Sequence, residues 1–344
     1  MKVARIALSI GCPSGVGPEV SVVAAAEERL ARVLLVGDTE ALREAARGRG
    51  IDPARLVRVD APEDAWQLSS RRVPIWQPTR DMRERDRHPG KPSRASGAAQ
   101  LAWVDSASDL VAHGLADALV TGPVSKEAIA RSLAPGSAAF LGHTEHLQKR
   151  LRAREVVMAF WSPSLTTSLV TTHVPLSRVP RAVTAARVAR ASYWLAWLLA
   201  RDKRRAPRIA VAGLNPHAGE NGLLGTEERT RIAPGMDQAR RRLRASRIEA
   251  TLVGPVPAES AFRLAIGQTS ARAPSWDGVV AMYHDQATIP MKIAGFGDAV
   301  NVSLGLPIVR TSVDHGTAYD RAGTFTADAR GMRAAIALAV RLVE

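Results

Sequence analysis

The chain has 344 residues, of which 46% are apolar and only 4% aromatic, enough for one large or two medium α/β domains packed mainly on Ala, Val and Leu. No apolar run approaches the ~18 residues of a membrane span, the N-terminal "MKVARIALSIGCPSG" lacks the apolar region and cleavage site of a secretory leader, and the lone Cys12 excludes an intrachain disulfide, so a cytoplasmic protein without a membrane partner is expected. The formal charge of +14 gathers in stretches 71–91, 200–208 and 239–247, which carry few aromatics and no nucleic-acid motif; they read as solvated faces, with no nucleic-acid partner, whose field attracts small anions.

In chain order, "VARIALSI" (3–10) reads as a strand, "GCPSGVGPE" as a glycine loop, and "VSVVAAAEERLA" as a helix with Pro18 near its first turn. "VLLVGD" (33–38) is the next strand, so a βαβ unit opens the protein. The first loop matches neither the dinucleotide fingerprint nor the Walker pattern and implies only a close approach of backbone. Residues 78–97 are polar and loop-like, a helix is expected from about Ala98 to Ala112, and "ADALVTGPVSKEAIA" repeats the strand, Gly/Pro turn and helix. Beyond 155, "EVVMAF" and "TTSLVTTH" read as a strand pair and "VTAARVARASYWLAWLLARD" as a long helix. "RIAVAGLNPH", "RIEATLVGPV" and "DGVVAMYHD" are further strands, giving an α/β protein of two lobes.

Three of these strands end in histidine: His173 after "TTSLVTT", His217 after "IAVAGLNP", and His284 after "GVVAMY". Ligands of open α/β sheets bind beyond the carboxyl ends of strands, and neutral imidazole suits zinc and related divalent ions. One histidine in such a place is commonly a turn or core residue; three in the same context point to a metal set. His143 and Thr144 in "FLGHTE" can hydrogen-bond a carboxylate or phosphate, or simply begin a helix with Thr144 as its cap. Lys292, Asn301 and Arg310 lie in a glycine-punctuated stretch suited to an anion, although a strand flanked by surface cations has the same composition. Lys126 follows "GPVS" and either reaches a site or starts a helix; Asp285, beside His284, either orients an imidazole or moves a proton.

Taken together, "TGPVSK", "GHTE", "TTHVPL", "GLNPHAGENGLLGTEE", "GPVPAESAF", "AMYHDQ" and "GFGDAVNVSLGLPIVRTSVDHGTA" follow in the order found in the 4-hydroxythreonine-4-phosphate dehydrogenase family, which this chain resembles over nearly its whole length. The resemblance implies the two-lobed fold of the isocitrate and isopropylmalate dehydrogenases, with the active site in the interlobe cleft. The lobes are then expected at 1–127 plus 313–344 and at 128–312. It implies a homodimer whose sites are shared between subunits, with His173, His217 and His284 as ligands of a divalent metal (Zn, Mg, Co or Mn). His143, Thr144, Lys292, Asn301 and Arg310 would bind the phosphorylated substrate, while Lys126 and Asp285 are the candidate catalytic groups. The implied reaction is the NAD- or NADP-dependent oxidation and decarboxylation of 4-phosphooxy-L-threonine in vitamin B6 biosynthesis. A related dehydrogenase acting on a phosphorylated four-carbon sugar acid or an aromatic cis-dihydrodiol carboxylate is the alternative. The chain departs from the family pattern at Cys12, at Arg94-Ala95-Ser96, at Glu259, and by about four extra residues between Lys126 and Gly142.

Overall fold

The computed structural model describes residues 3–203, 205–266, 275–295 and 297–344. The chain divides into two compact units, Met1–Val156 with Leu306–Glu344, and Val157–Gly305. The changes of unit therefore fall at 156/157 and 305/306, against the 127/128 and 312/313 read from the sequence.

The first unit holds β1 (Ala4–Ser9), α1 (Gly17–Glu27), β2 (Ala31–Val36), α2 (Thr39–Gly48), β3 (Leu56–Val59), β4 (Val73–Trp76), α3 (Arg94–Ala112), β5 (Ala118–Thr121), α4 (Lys126–Arg131) and α5 (His143–Arg150). Its strands pair in the order β3-β4-β2-β1-β5, every pair parallel. Helices must therefore return the chain from one end of the sheet to the other. Helix α1 is apolar or small on all sides but for Glu19, whose Oε1 accepts from the Gly323 N–H at 2.9 Å, and it is buried from Gly17 to Ala26, as a helix without a broad polar face must be. The Gly-rich loop before it does lie backbone to backbone with another loop: a Cβ on Gly11 would stand 2.3 Å from the Pro123 carbonyl oxygen, and one on Gly122 would stand 2.5 Å from that of Ile10.

Residues 128–156 stay with this unit because their apolar groups are used here. Ile129 and Phe140 are buried with Leu101 of α3, and a Cβ on Gly97 would strike the Ala128 carbonyl at 2.0 Å. Helix α3 begins at Arg94, inside the stretch expected to be a loop, because Ser93 and Ser96 form a reciprocal capping box.

The second unit contains β6 (Val157–Trp161), β7 (Thr166–Leu169), α6 (Val179–Ala182), α7 (Ala185–Lys203), β8 (Arg208–Ala212), α8 (Ala233–Ala245), β9 (Thr251–Val256), α9 (Ala258–Ile266), β10 (Gly278–Ala281), α10 (His284–Ala294) and β11 (Val300–Leu304). Its strand order is β11-β6-β7-β10-β8-β9. Strands β7, β10, β8 and β9 are mutually parallel, and β6 runs antiparallel to both β11 and β7. Phe160, Leu169, Phe262 and Met291 meet in its core, each worth roughly 1.5–3 kcal/mol when fully withdrawn from water.

The chain then returns to the first unit as β12 (Val309–Val313), which adds parallel to β5, and closes with α11 (Arg330–Val343), whose Met332, Ile336 and Leu338 are buried. The pairing of β12 with β5 places Arg310 in the first unit. Both units are α/β, as the sequence indicates, and among the described residues no helix is long and apolar enough to cross a membrane.

Candidate active site

Strand order explains the three histidines. Within the second unit β7, β10 and β8 are neighbours and parallel, so the segments that follow them leave from one edge of the sheet. The exits are tied together by hydrogen bonds. Thr171 donates through its backbone N and its Oγ1 to the Met282 carbonyl, at 3.2 and 2.7 Å, joining the approach to His173 to the approach to His284. Gln286 accepts from the Met282 N–H at 2.6 Å and donates to the Gly213 carbonyl at 3.0 Å, joining the turn of His284 to that of His217.

The rings of His173 and His284 lie 5.5 Å apart, centroid to centroid. Asp285 Oδ1 is 2.7 Å from His284 Nδ1, an arrangement that holds the proton on Nδ1 and leaves Nε2 as the electron-pair donor. His217 is exposed and opens a left-handed turn, with φ between 43° and 79° at every residue from His217 to Asn221. Four of those five are not glycine, a costly conformation of the kind retained at functional sites. Among the described residues, no three His, Cys, Asp or Glu side chains stand close enough to share one ion. The chain by itself thus pairs His173 with His284 and does not complete a three-ligand cluster with His217.

Glu228 fixes the His217 turn, a role the sequence did not disclose. This carboxylate is buried; its Oε1 accepts from the Leu214 and Asn215 backbone N–H groups at 2.8 Å each, and its Oε2 accepts from Asn215 Nδ2 at 3.0 Å. A Cβ on Gly219 would stand 2.6 Å from Glu228 Oε2, so only glycine allows the turn to fold over the acid. Glu228 also begins the π-turn Glu228–Ile232 that leads into α8, an irregularity common near functional sites. The "GTEE" of the sequence was its only signal.

A second group of candidates assembles in the first unit. Arg310 is buried and donates from Nη2 to Thr121 Oγ1 at 2.6 Å; burial pulls its guanidinium down to about 9, against which Glu145 acts favourably. His143 is the first residue of α5 and Thr144 the second, so Thr144 lies inside the helix and does not cap it. His143 Nε2 is out of water and has no hydrogen-bond partner among the described residues. Burial first, then the positive charges of Arg310, His146 and Lys126, hold this imidazole well below its ordinary value and therefore neutral at pH 7. The Lys126 ammonium and the Glu145 carboxylate flank Gly142, within 3.6 and 3.1 Å of where its Cβ would be.

Tyr319 approaches Cys12, its hydroxyl 3.6 Å from Sγ, and burial pushes the phenol up to about 12. Burial also raises the Cys12 thiol, so Cys12 is a protonated packing residue of the loop. Lys292 and Asn301 belong to the second unit: Lys292 is exposed two turns beyond His284 on α10, and Asn301 pairs with Phe160 across β11 and β6.

A buried neutral imidazole beside an arginine and a lysine suits a substrate that combines a hydroxyl with an anion. Paired histidines with one ring oriented by a carboxylate suit a divalent cation. The profile of the family described as "Pyridoxal phosphate biosynthetic protein PdxA" matches residues 29–339. The chain belongs to the PdxA family. A relative named 4-hydroxythreonine-4-phosphate dehydrogenase, from Geobacter metallireducens, is 42% identical over 98% of this chain and 95% of its own length. The PdxA fold is equally plain: a crystal structure of the Klebsiella pneumoniae 4-hydroxythreonine-4-phosphate dehydrogenase aligns with a TM-score of 0.80 at 32% identity, covering 99% of this chain and 100% of the other. A terephthalate 1,2-cis-dihydrodiol dehydrogenase from Burkholderia xenovorans LB400 aligns less closely, with a TM-score of 0.66 at 28% identity over 98% of each chain.

Proposed function

We propose that this PdxA-family oxidoreductase oxidises 4-phosphooxy-L-threonine at its secondary alcohol, with NAD or NADP as hydride acceptor, and releases carbon dioxide to give 3-amino-2-oxopropyl phosphate. The observation that carries the reading is the delivery of His173, His284 and His217 from three adjacent parallel strands, with the His173 and His284 rings 5.5 Å apart. The curated relatives, named for 4-hydroxythreonine 4-phosphate from 42% identity down to 36%, favour this substrate over a sugar acid or a dihydrodiol carboxylate.

His173, His217 and His284 would hold the divalent metal, zinc being one suited to imidazole, and neutral imidazoles would leave its positive charge intact. When bound, the metal supplies a charge that lowers the pKa of the alcohol and steadies the enolate left by decarboxylation. Asp285 keeps His284 in the tautomer that binds through Nε2. The proposed assembly is a homodimer in which the partner subunit completes the set of ligands. Arg310 binds a phosphate or carboxylate oxygen, and Thr121 Oγ1 fixes the direction of its guanidinium. Neutral His143 hydrogen-bonds the substrate through Nε2, with Thr144 next to it; in the second unit, Lys292 and Asn301 are the residues proposed to take an anionic group. In balance, the hydroxyl loses a proton, its carbon loses a hydride, the carboxylate leaves as carbon dioxide, and the carbon that carried it takes up a proton. Lys126, an ammonium beside His143, is the acid proposed for that last transfer. The proposed setting is the cytoplasm, where the buried Cys12 stays reduced.

The test follows the absorbance of reduced nicotinamide with 4-phosphooxy-L-threonine and NAD, after chelation and again after a divalent metal is restored. Turnover should vanish, return with metal, and fall by ~100-fold or more in His217→Ala. Turnover that survives chelation, or that is unchanged in His217→Ala, overturns the reading.

A further inference from the structure

At the amino ends of the strands of the first unit lies a cavity of about 830 Å³, bordered by the first residues of β2 and β4, Ala31 and Val73. Five arginines line it: Arg29, Arg32, Arg55, Arg71 and Arg72. Its carboxylates are Glu28 and Asp52. Both are turned to backbone amides. Glu28 Oε1 accepts from the N–H groups of Arg29, Leu30 and Ala31, at 2.8, 2.6 and 3.2 Å, and Asp52 Oδ1 accepts from Ala54 N–H at 2.9 Å.

Among the described residues none of the five arginines forms an ion pair. Four of them, Arg29, Arg32, Arg55 and Arg72, are steadied by carbonyl oxygens instead. Arg29 Nη1 donates to Ala26 and Glu28 at 3.2 and 3.1 Å, and Arg55 donates from Nη2 to Ala26 at 2.9 Å and from Nε to Arg71 at 3.2 Å. Arg32 donates to the Leu68 carbonyl and Arg72 to that of Ala54. A guanidinium has five N–H donors, so each of these keeps several for a ligand while its direction is already set. Five like charges around one hollow repel each other, and an anion that bridges them removes that cost.

We infer that this cavity is a second ligand site, for a small molecule bearing a chain of two or more phosphoryl groups. One phosphate monoester carries too little charge to bridge five guanidiniums that face two carboxylates, and a cavity of several hundred Å³ is of the size that takes a whole small ligand. The site is separate from the Arg310 and His143 group. Thr121 and Lys126 stand at the carboxyl end of β5, whereas the cavity opens at the other edge of the same sheet, about 20 Å away along a six-residue strand such as β1.

The experiment is titration calorimetry of the full-length chain with inorganic triphosphate, with ATP, and with a short single-stranded oligonucleotide. Saturable triphosphate binding at one site per chain, weakened by salt, is expected. Arg29→Gln and Arg71→Gln, at exposed side chains, should each weaken it by ~10-fold, and Lys126→Gln should leave it unchanged. Tighter binding of ATP than of triphosphate assigns the ligand to the nucleotides, and equal binding assigns it to the bare phosphate chain. No saturable binding, or binding lost in Lys126→Gln and kept in the two arginine variants, overturns the inference. So does an oligonucleotide that binds more tightly than triphosphate through Arg29 and Arg71, which would make this a nucleic-acid face.

Discussion

At the scale of single residues, the site runs on charges placed where water is scarce. Arg310 is a cation held without bulk solvent, and burial brings its guanidinium down to about 9, inside the range of ordinary experiments. The sign is direct: the cation is present below that pH and is lost above it. Substrate KM should therefore rise as pH passes about 9, more steeply than kcat falls, and Arg310→Lys, whose ammonium titrates on its own, should change where the rise begins. A KM left unchanged in Arg310→Ala would show that Arg310 does not carry the anion. His143 makes the complementary case. Burial and the neighbouring charges of Arg310 and Lys126 keep it neutral, so it adds no acid limb near its ordinary value. Its sequence setting, "GHTE", suggested a hydrogen-bonding residue, but only its buried Nε2 and its neighbours show what kind.

At the scale of elements, the instructive case is the turn from Gly213 to Gly222. Its motif "NPHAGE" identifies His217, yet the turn keeps its left-handed course because Glu228, in the helical segment that follows, receives three N–H donors from it. Glu228→Ala would leave the Leu214 and Asn215 N–H groups without their acceptor. The expected cost is about 2–3 kcal/mol, read as a lower denaturant midpoint at unchanged slope, with metal affinity lowered roughly 10- to 100-fold. Unchanged metal affinity in a destabilised protein would separate the turn from the metal site. Helix α3 teaches the same lesson at an ordinary place: the Ser93 and Ser96 box starts it four residues before the Ala98 expected from apolar periodicity. The short strands β3 and β4 escaped reading because Arg58 interrupts the apolar residues of the one and Pro74 those of the other.

At the scale of the whole molecule, the arginine excess resolves into distinct uses. In the second unit α7 packs on α8, so Arg242 stacks 3.8 Å from the Tyr193 ring, while Arg201 lies 4.7 Å from Trp197, one turn back on α7 itself. These basic stretches lacked aromatics in sequence and acquire them in space. The shared site proposed for the homodimer belongs at this scale too. If His217 and His284 of one metal site come from different subunits, mixing inactive His217→Ala and His284→Ala chains restores one intact site in each mixed dimer. Random pairing then returns about a quarter of wild-type turnover. No recovery, with mixed dimers shown to form, would place all three ligands on one chain.

The sequence by itself determined the α/β class, the family and the place of three histidines just beyond strands, because strand-ending motifs such as "NPHAGE" and "AMYHDQ" are local and survive any rearrangement of distant elements. The tertiary structure alone decided that β7, β10 and β8 are neighbours, that β12 returns to β5 and takes Arg310 with it, and that 128–156 pack with the first unit. It also decided that Glu228 underlies the His217 turn and that five arginines spread from 29 to 72 border one cavity. The physical reason is common to all of these. Periodicity and motif report on contacts within a few residues, whereas strand order, burial of charge and the gathering of like charges depend on residues brought together from far along the chain.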